Sequence, residues 1–207
     1  NQVVCNGAST AAVNFSGIAT DYIWTNDDPS IGLAAGGTGN IASFAAINPG
    51  TTAVTATITV TPRYTVNGVD CDGTPQTFTI IVNPTPQVNA PGSIDLCSGE
   101  TAEFTPTGTV GGSTFSWTSS VAGVVSGVSA SGTGTINDVL INTSGVVATV
   151  TYTIVANANG CSGPGQALVV QVDPRPVITS TPDETICCND NTAITISSTT
   201  VMSAGAV

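Results

Sequence analysis

Six cysteines, Cys5, Cys71, Cys97, Cys161, Cys187 and Cys188, are the residues of this chain best equipped for covalent chemistry. A thiol can attack a substrate, ligate a metal or oxidise to a disulfide, and its neighbours decide which. Nucleophilic catalysis needs an activating base. The chain has no His and no Lys, which excludes Ser–His–Asp, Cys–His and Ser–Lys arrangements and Schiff-base chemistry. A Lys–Asn isopeptide cross-link is excluded for the same reason. Zinc is disfavoured by the lack of His and of any C-x-x-C pair. Oxidation to disulfides remains the favoured chemistry, with free thiols as the alternative, and disulfides belong to an oxidising, extracytoplasmic compartment.

Carboxylates are the other candidates: Asp27-Asp28, Asp70 with Asp72, and Asp183-Glu184. A glycosidase acid–base pair would need two carboxylates flanking one bond. No such pair recurs further along, where Ser119-Ser120 replaces Asp27-Asp28. Calcium suits carboxylate and carbonyl oxygens better. The D-x-D-x-D-G spacing is missing, however, and Asp70-Cys71-Asp72-Gly73 is only a fragment of it. Solvated turn residues are the preferred reading, with calcium as the open alternative. The glycine-rich Gly36-Gly37-Thr38-Gly39 and Gly132-Thr133-Gly134 lie between short strands with no helix after them, so they read as turns rather than phosphate loops. No catalytic, cofactor-binding or metal residue is assigned, and the expectation is a protein that is not an enzyme.

Charge narrows the partners. Thirteen acidic residues face two arginines, Arg63 and Arg175, for a net charge of −11. Two arginines so far apart in sequence supply no phosphate-binding cluster and no attraction to an anionic membrane. The chain is 41% apolar and only 7% charged, and its apolar residues alternate in register, as in a folded chain. No apolar run reaches 18 residues, no signal peptide opens the sequence, and Asn1 reads as the start of a processed, excised or only partly observed sequence.

The elements that must position these groups come in repeats. Cys5-Asn6-Gly7 recurs as Cys97-Ser98-Gly99 and as Cys188-Asn189-Asp190. Tyr22-Ile23-Trp24-Thr25 recurs as Phe115-Ser116-Trp117-Thr118, and Gly37-Thr38-Gly39-Asn40-Ile41 as Gly132-Thr133-Gly134-Thr135-Ile136. Thr57-Ile58-Thr59-Val60-Thr61 matches Thr151-Tyr152-Thr153-Ile154-Val155. Cys71 or Cys161 follows, then Val82-Asn83-Pro84-Thr85-Pro86 or Val172-Asp173-Pro174-Arg175-Pro176. The repeats therefore span 1–86, 87–176 and 177–207, the third incomplete, and a longer parent is expected.

Within a repeat the period is two. In 54–61, apolar residues alternate with Thr, as in a strand with one face on a core and the other in water. The segments 78–82 and 168–172 read as last strands, and Asn26-Asp27-Asp28-Pro29 and Val66-Asn67-Gly68-Val69 as turns. Six to eight short strands in about 90 residues match an immunoglobulin-like β-sandwich with its single Trp as core anchor. The fold class is all-β, in tandem sandwiches. The X-Pro-X-Pro junctions read as short, stiff linkers that would make a rod.

Cysteine connectivity does not follow from spacing alone. Repeat symmetry suggests one bond per repeat, Cys5–Cys71 and Cys97–Cys161, each closing a loop of about 65 residues worth roughly 4 kcal/mol. Cys188 aligns with the first cysteine of the third repeat, with its partner expected past Val207. Cys187 replaces an apolar residue and is either a buried thiol or paired out of pattern. These bridges would staple an edge or end of the sandwich, away from the Trp.

The stretches 1–10 (NQVVCNGAST), 22–35 (YIWTNDDPSIGLAA), 37–41 (GTGNI), 55–62 (TATITVTP) and 78–86 (FTIIVNPTP) closely resemble the PKD-like repeats of giant Bacteroidota cell-surface proteins. The second repeat keeps C-S-G, F-S-W-T and V-D-P-R-P. It departs from ordinary PKD domains, because Trp24 and Trp117 are followed by Thr-Asn and Thr-Ser rather than a Gly-Asp-rich turn. The resemblance, to SprB-type gliding-motility adhesins exported by the type IX secretion system, implies an immunoglobulin-like fold and an extracellular filament for cell adhesion. Expected partners are neighbouring repeats of the same chain, and surface polysaccharide or other cells, with no nucleic acid and no membrane insertion. A polysaccharide-binding module, or a spacer in a large secreted enzyme, is the competing reading. Aromatic residues make up only 5% of the chain, which leaves few stacking platforms for sugars.

Overall fold

The computed structural model describes residues 1–89, 92–179 and 197–198. Cys187, Cys188 and Asp183-Glu184 lie outside them. By packing, the chain divides into two compact units. The first comprises Asn1–Gln87, Gly108–Ser113 and Ala156–Pro164; the second comprises Val88–Thr107, Thr114–Val155 and Gly165–Val207.

The first repeat contributes strands β1 (Gln2–Cys5), β2 (Asp21–Asn26), β3 (Gly36–Thr38), β4 (Val54–Val66), β5 (Val69–Asp72) and β6 (Gln76–Asn83). Their sheet runs β1-β6-β4-β2-β3, with β5 paired to β4 and β1 parallel to β6. The expected alternation in β4 is present: Ala56, Ile58 and Val60 are buried and the threonines between them are not. Opposite this sheet lies a less regular layer. The segment around Val13 forms only an isolated bridge to Ile41, and Ser9 bridges Ala45. Ile41 and Ala46 from that layer share one core with Trp24, Ile31, Ile58, Ile80 and Val82, against which Val13, Phe15 and Phe44 pack.

The second repeat contributes β7 (Ser93–Cys97), β8 (Thr101–Phe104), β9 (Thr114–Ala122), β10 (Val125–Ser126), β11 (Ser131–Thr133), β12 (Ile136–Val139), β13 (Ile141–Asn142), β14 (Ala148–Ala158), β15 (Cys161–Ser162) and β16 (Gln166–Asp173). The main sheet, β11-β9-β14-β16-β7 with β15 on β14, repeats the first one strand for strand. The opposing layer is better formed here, as the ladders β8–β12 and β10–β13. Ten strands exceed the expected six to eight because several are only two residues long. Two further short strands, β17 (Ile178–Thr179) and β18 (Ser197–Ser198), pair antiparallel.

Two asparagine–glycine turns close the long hairpins. Asn67 and Gly68 have φ of 49° and 78°, and Asn159 and Gly160 have φ of 51° and 77°. Positive φ at both central residues is the type I′ turn that matches strand twist, and Asn-Gly is its preferred pair.

Glycine also explains how the tryptophans are seated. Trp24 and Trp117 are 7% and 6% exposed. Each stands opposite a glycine of the edge strand, Trp24↔Gly37 and Trp117↔Gly132. A Cβ built on either glycine would overlap the indole ring. Gly37 and Gly132, read from sequence as turn residues, are thus strand residues beneath a ring, and only Gly39 and Gly134 (φ 70° and 67°) make the turn. Gly37→Ala or Gly132→Ala should destabilise its unit by about 1–3 kcal/mol through overpacking. Urea titration followed by tryptophan fluorescence measures this; an unchanged midpoint would show that the ring is free to move aside.

Candidate functional site

Each described carboxylate raised by the sequence has structural work. Asp28 caps the short 3-10 turn Pro29–Ile31 by accepting the Ser30 N–H at 3.1 Å. Asp27 accepts the Thr57 N–H at 2.6 Å. Asp72 accepts two bonds from the Arg63 guanidinium, at 2.6 and 2.9 Å, and Asp70 lies 3.0 Å from Arg63 Nη1. The Asp72 bond and charge lift the Arg63 pKa further, and Arg63 holds Asp72 below its ordinary value. Among the described residues no three His, Cys, Asp or Glu side chains gather as metal ligands.

One carboxylate that the sequence reading passed over is buried. Asp138, on β12 and 7% exposed, accepts the Ser129 N–H at 2.8 Å, the Ser129 hydroxyl at 2.7 Å and the Tyr152 hydroxyl at 2.7 Å. Burial works to raise its pKa, but the three donated bonds outweigh burial and hold it below the ordinary aspartate value. Tyr152 is pushed well above the tyrosine range, first by burial and then by its bond to the Asp138 carboxylate. The first repeat has Ile58 in the place of Tyr152, so this network belongs to the second repeat alone. It is a clamp between layers, since the Asp138 carboxylate on β12 accepts all three of its bonds from Ser129 and from Tyr152 of β14.

Two buried asparagines were also missed. Asn48 Nδ2 donates to the Val82 and Thr52 carbonyls, at 2.7 and 2.8 Å, and its Oδ1 accepts the Gly50 N–H. Asn142 does the same to Val172 and Val146, and accepts the Ser144 N–H. The recurrence of Ile47-Asn48 as Ile141-Asn142, at the spacing of the other repeat markers, is the signal that could have revealed them.

The cysteines depart most from expectation. Among the described residues the bond is Cys5–Cys161, with Cα atoms 5.7 Å apart, and Cys71 and Cys97 are free and exposed. The expected pairs Cys5–Cys71 and Cys97–Cys161 are therefore both overturned. The physical reason lies in the topology. Cys5 ends β1 beside Asn83 at one end of the sheet, whereas Cys71 sits on the β4–β5 hairpin beyond the far end of β2. The hairpin that reaches Cys5 is Ala156–Pro164, which belongs to the first compact unit. Asn83 Nδ2 donates to the Asn159 carbonyl there at 2.9 Å. The neighbouring junction is packed: Pro84 and Pro86 are buried, the Thr109 N–H donates to the Gln87 carbonyl, and the Gln87 N–H donates to the Thr109 hydroxyl.

A cavity of about 450 Å³ opens between the layers of the first unit, lined by Phe15, Tyr22, Val60, Pro62 and Phe78, with Ile18 on its rim. The Tyr22 hydroxyl is buried there without a hydrogen-bond partner. Ile18 is 96% exposed, the most exposed large apolar side chain among the described residues.

Two measurements check this geometry. Asp138→Asn should cost about 1–3 kcal/mol at neutral pH by weakening bonds to an ionised acceptor. A lowered folded pKa means the contribution is full above the unfolded value of about 3.9 and is lost as pH falls through the folded one. Denaturant midpoints of wild type and variant should therefore converge in acid; a gap constant down to pH 2 would refute an ionised Asp138. Arg175 precedes Pro176, so Arg63 is the remaining tryptic site. Its carbonyl accepts from Thr20 N and Oγ1, and its side chain is ion-paired. The unreduced chain should resist trypsin, and rapid cleavage at Arg63 would show the hairpin open.

Comparison with known proteins bears on the fold. No curated protein matches the chain. Among solved structures, the crystal structure of mouse cadherin-23 repeats EC22-24 is similar over 74% of this chain and 53% of that one, at 16% identity and a TM-score of 0.28. This chain thus spans about half of that structure's length. Among the described residues no helix is long and apolar enough to cross a membrane. Residues 94–176 match the family model of the PKD-like domain, so the second repeat carries a PKD-like domain of immunoglobulin-like, all-β fold.

Proposed function

We propose that this chain is a section of the stalk of a secreted bacterial cell-surface adhesin, a structural filament without catalysis, with gliding motility as its specific use. Domains of the PKD-like kind are extracellular repeat modules and generally non-catalytic, which supports the coarser part of this reading. The observation that carries it is the Cys5–Cys161 bond, which spans 156 positions of sequence. Tension applied to the two ends of such a chain passes through the sulfur atoms and bypasses everything between them. A covalent shunt around the first repeat and most of the second has value in a part that bears load, and little in a spacer that does not. In this reading neighbouring repeats of the same chain are the immediate partners. Surface polysaccharide or other cells are the target of the whole adhesin.

Force spectroscopy tests the load-bearing role. Pulled from its ends, the oxidised chain should hide the residues between the two sulfurs. Reduction should release roughly 530 Å of extra contour length, from about 3.4 Å per extended residue. Equal extension with and without reductant would sink the shunt. The cellular role is checked on the producing bacterium. Antibodies to this chain should label intact cells, and deletion of the gene should reduce surface attachment while secreted hydrolase activity persists. Lost hydrolase activity with normal attachment would instead favour the enzyme-spacer reading.

A further inference from the structure

The two free cysteines are not equivalent to each other. Each is the repeat counterpart of one half of the bond that is made. Cys97 ends β7 opposite Asp173, as Cys5 ends β1 opposite Asn83. Cys71 pairs across its hairpin with Tyr64, and Cys161 with Ala158. Tyr64 and Ala158 stand at the same place in their long strands, because Ile58 aligns with Tyr152 six residues before each. Cys71 and Cys161 therefore occupy the same rung. The first-repeat hairpin simply runs two rungs further, through Thr65↔Asp70 and Val66↔Val69, and two rungs preserve the face that a side chain points to. The rung below matches too: Arg63 bonds Asp72, and Asn157 bonds Ser162. So does the glycine after it, where Gly73 N–H bonds the Pro62 carbonyl and Gly163 N–H that of Ala156.

The surroundings differ in one consistent way. Cys161 is covered within the first compact unit: it is 3% exposed, Val110 of the same unit is buried, and Gly163 lies so close to the Pro86 carbonyl that no Cβ fits. Around Cys71 the corresponding surface is bare. Tyr64, Val66 and Val69 of the hairpin are exposed, as is Ile18, in the loop before the tryptophan strand as Val110 is; Thr20 of that loop bonds Arg63 and Thr65 of the hairpin, and the nearest atoms that a Cβ on Gly73 would meet belong to its own hairpin's Pro62.

We propose that Cys71 and Cys97 are the two open ends of a staggered disulfide ladder. In it, the cysteine that closes the first strand of each repeat bonds the hairpin cysteine of the following repeat. The occupant of the bare surface around Ile18 and Cys71 is the end of another repeat of this kind, bearing a cysteine in the position of Cys5. The partner of Cys97 is the hairpin cysteine of a repeat that follows it. Each bond forms by thiol–disulfide exchange: two thiols lose two protons and two electrons to a disulfide oxidant, such as oxidised glutathione, which leaves as two thiols. The inference rests on the repeat alignment and the Cys5–Cys161 bond, and not on the adhesin reading, which could fail while the ladder holds.

A tandem chain tests it: residues 1–176, then a second copy of 87–92 as the junction, then the whole of 1–207. This places Cys97 of the first copy and Cys71 of the second in successive repeats. After refolding in a glutathione redox buffer, free thiols are alkylated and unreduced peptides are mapped by mass spectrometry. Both copies should contain Cys5–Cys161, and a further bond should join Cys97 of the first copy to Cys71 of the second. Cys71→Ser in the second copy should abolish that bond alone and leave Cys97 alkylated. If both junction cysteines are alkylated while Cys5–Cys161 has formed in each copy, the ladder is refuted with the redox conditions controlled. If Cys5 is instead found on Cys71 of its own copy, the bond on which the inference rests is itself wrong, and the ladder falls with it.

Discussion

The indole of each repeat resting on a bare glycine backbone is the constraint from which the rest of each sandwich follows. Trp24 and Trp117 each lie across the edge strand at Gly37 or Gly132. A tryptophan buries 150–250 Å², worth roughly 4–6 kcal/mol at about 25 cal/mol per Å². Against this stands the indole N–H, which finds no partner in either repeat. An unpaired buried donor costs about 1–3 kcal/mol, so burial wins. The seat admits the ring only when tryptophan and glycine face each other, so it also fixes register. A one-residue slip of the edge strand would put a side chain under the ring and turn its neighbours to the wrong face.

Register set at the edge passes inward. With Trp24 opposite Val60, β4 presents Ala56, Ile58 and Val60 to the core, and β6 answers with Ile80 and Val82. The layers are then tied by Asn48 and Asn142, whose amides reach the carbonyl of Val82 or Val172 at the end of the last strand. That is where the chain leaves one repeat for the next, one residue before Asn83 or Asp173 and beside the first cysteine. A buried amide with both hydrogens and its oxygen engaged holds a backbone more firmly than an apolar contact, because its alternatives leave polar groups dry. The position of Cys5 is thus inherited from a hydrogen-bonded asparagine across the core.

Much of this was legible before any coordinate. Alternation with threonine gave the long strands, the Asn-Gly pair gave the hairpin, and one Trp per repeat gave the core. These are local patterns whose cause lies within a few residues. What sequence missed depends on contacts between distant residues. Gly37 reads as a turn until the ring above it is known. Val13–Phe15 has the apolar content of a strand, yet it forms only a bridge, since the Phe15 N–H is taken by the Asn40 side chain. Asp138 carries no mark that distinguishes it from the solvated carboxylates; only Tyr152 and Ser129 folding onto it make it a clamp. The X-Pro-X-Pro stretch reads as a short, stiff linker, because proline composition says how the backbone runs and not what covers it.

The disulfide shows most sharply where repeat reasoning stops. Symmetry identifies which cysteines are equivalent, and it did so correctly, but any rule that treats every repeat alike satisfies it. Pairing first and second cysteines within a repeat obeys symmetry. Pairing the first of one repeat with the second of the next obeys it equally well. Loop entropy does not choose either, since closing 156 positions instead of about 65 changes the unfolded-state term by only about 1 kcal/mol. Geometry chooses: a disulfide needs Cα atoms within about 7 Å, and the two cysteines of one repeat lie at opposite ends of strands too long for that. The long strand of the first repeat has 13 residues and that of the second 11, at about 3.4 Å each. A strand of that length both buries the core and carries the second cysteine out of reach of the first. The feature that stabilises each sandwich thereby puts a bond within one repeat out of reach, and Cys5 of the first repeat bonds Cys161 of the second instead.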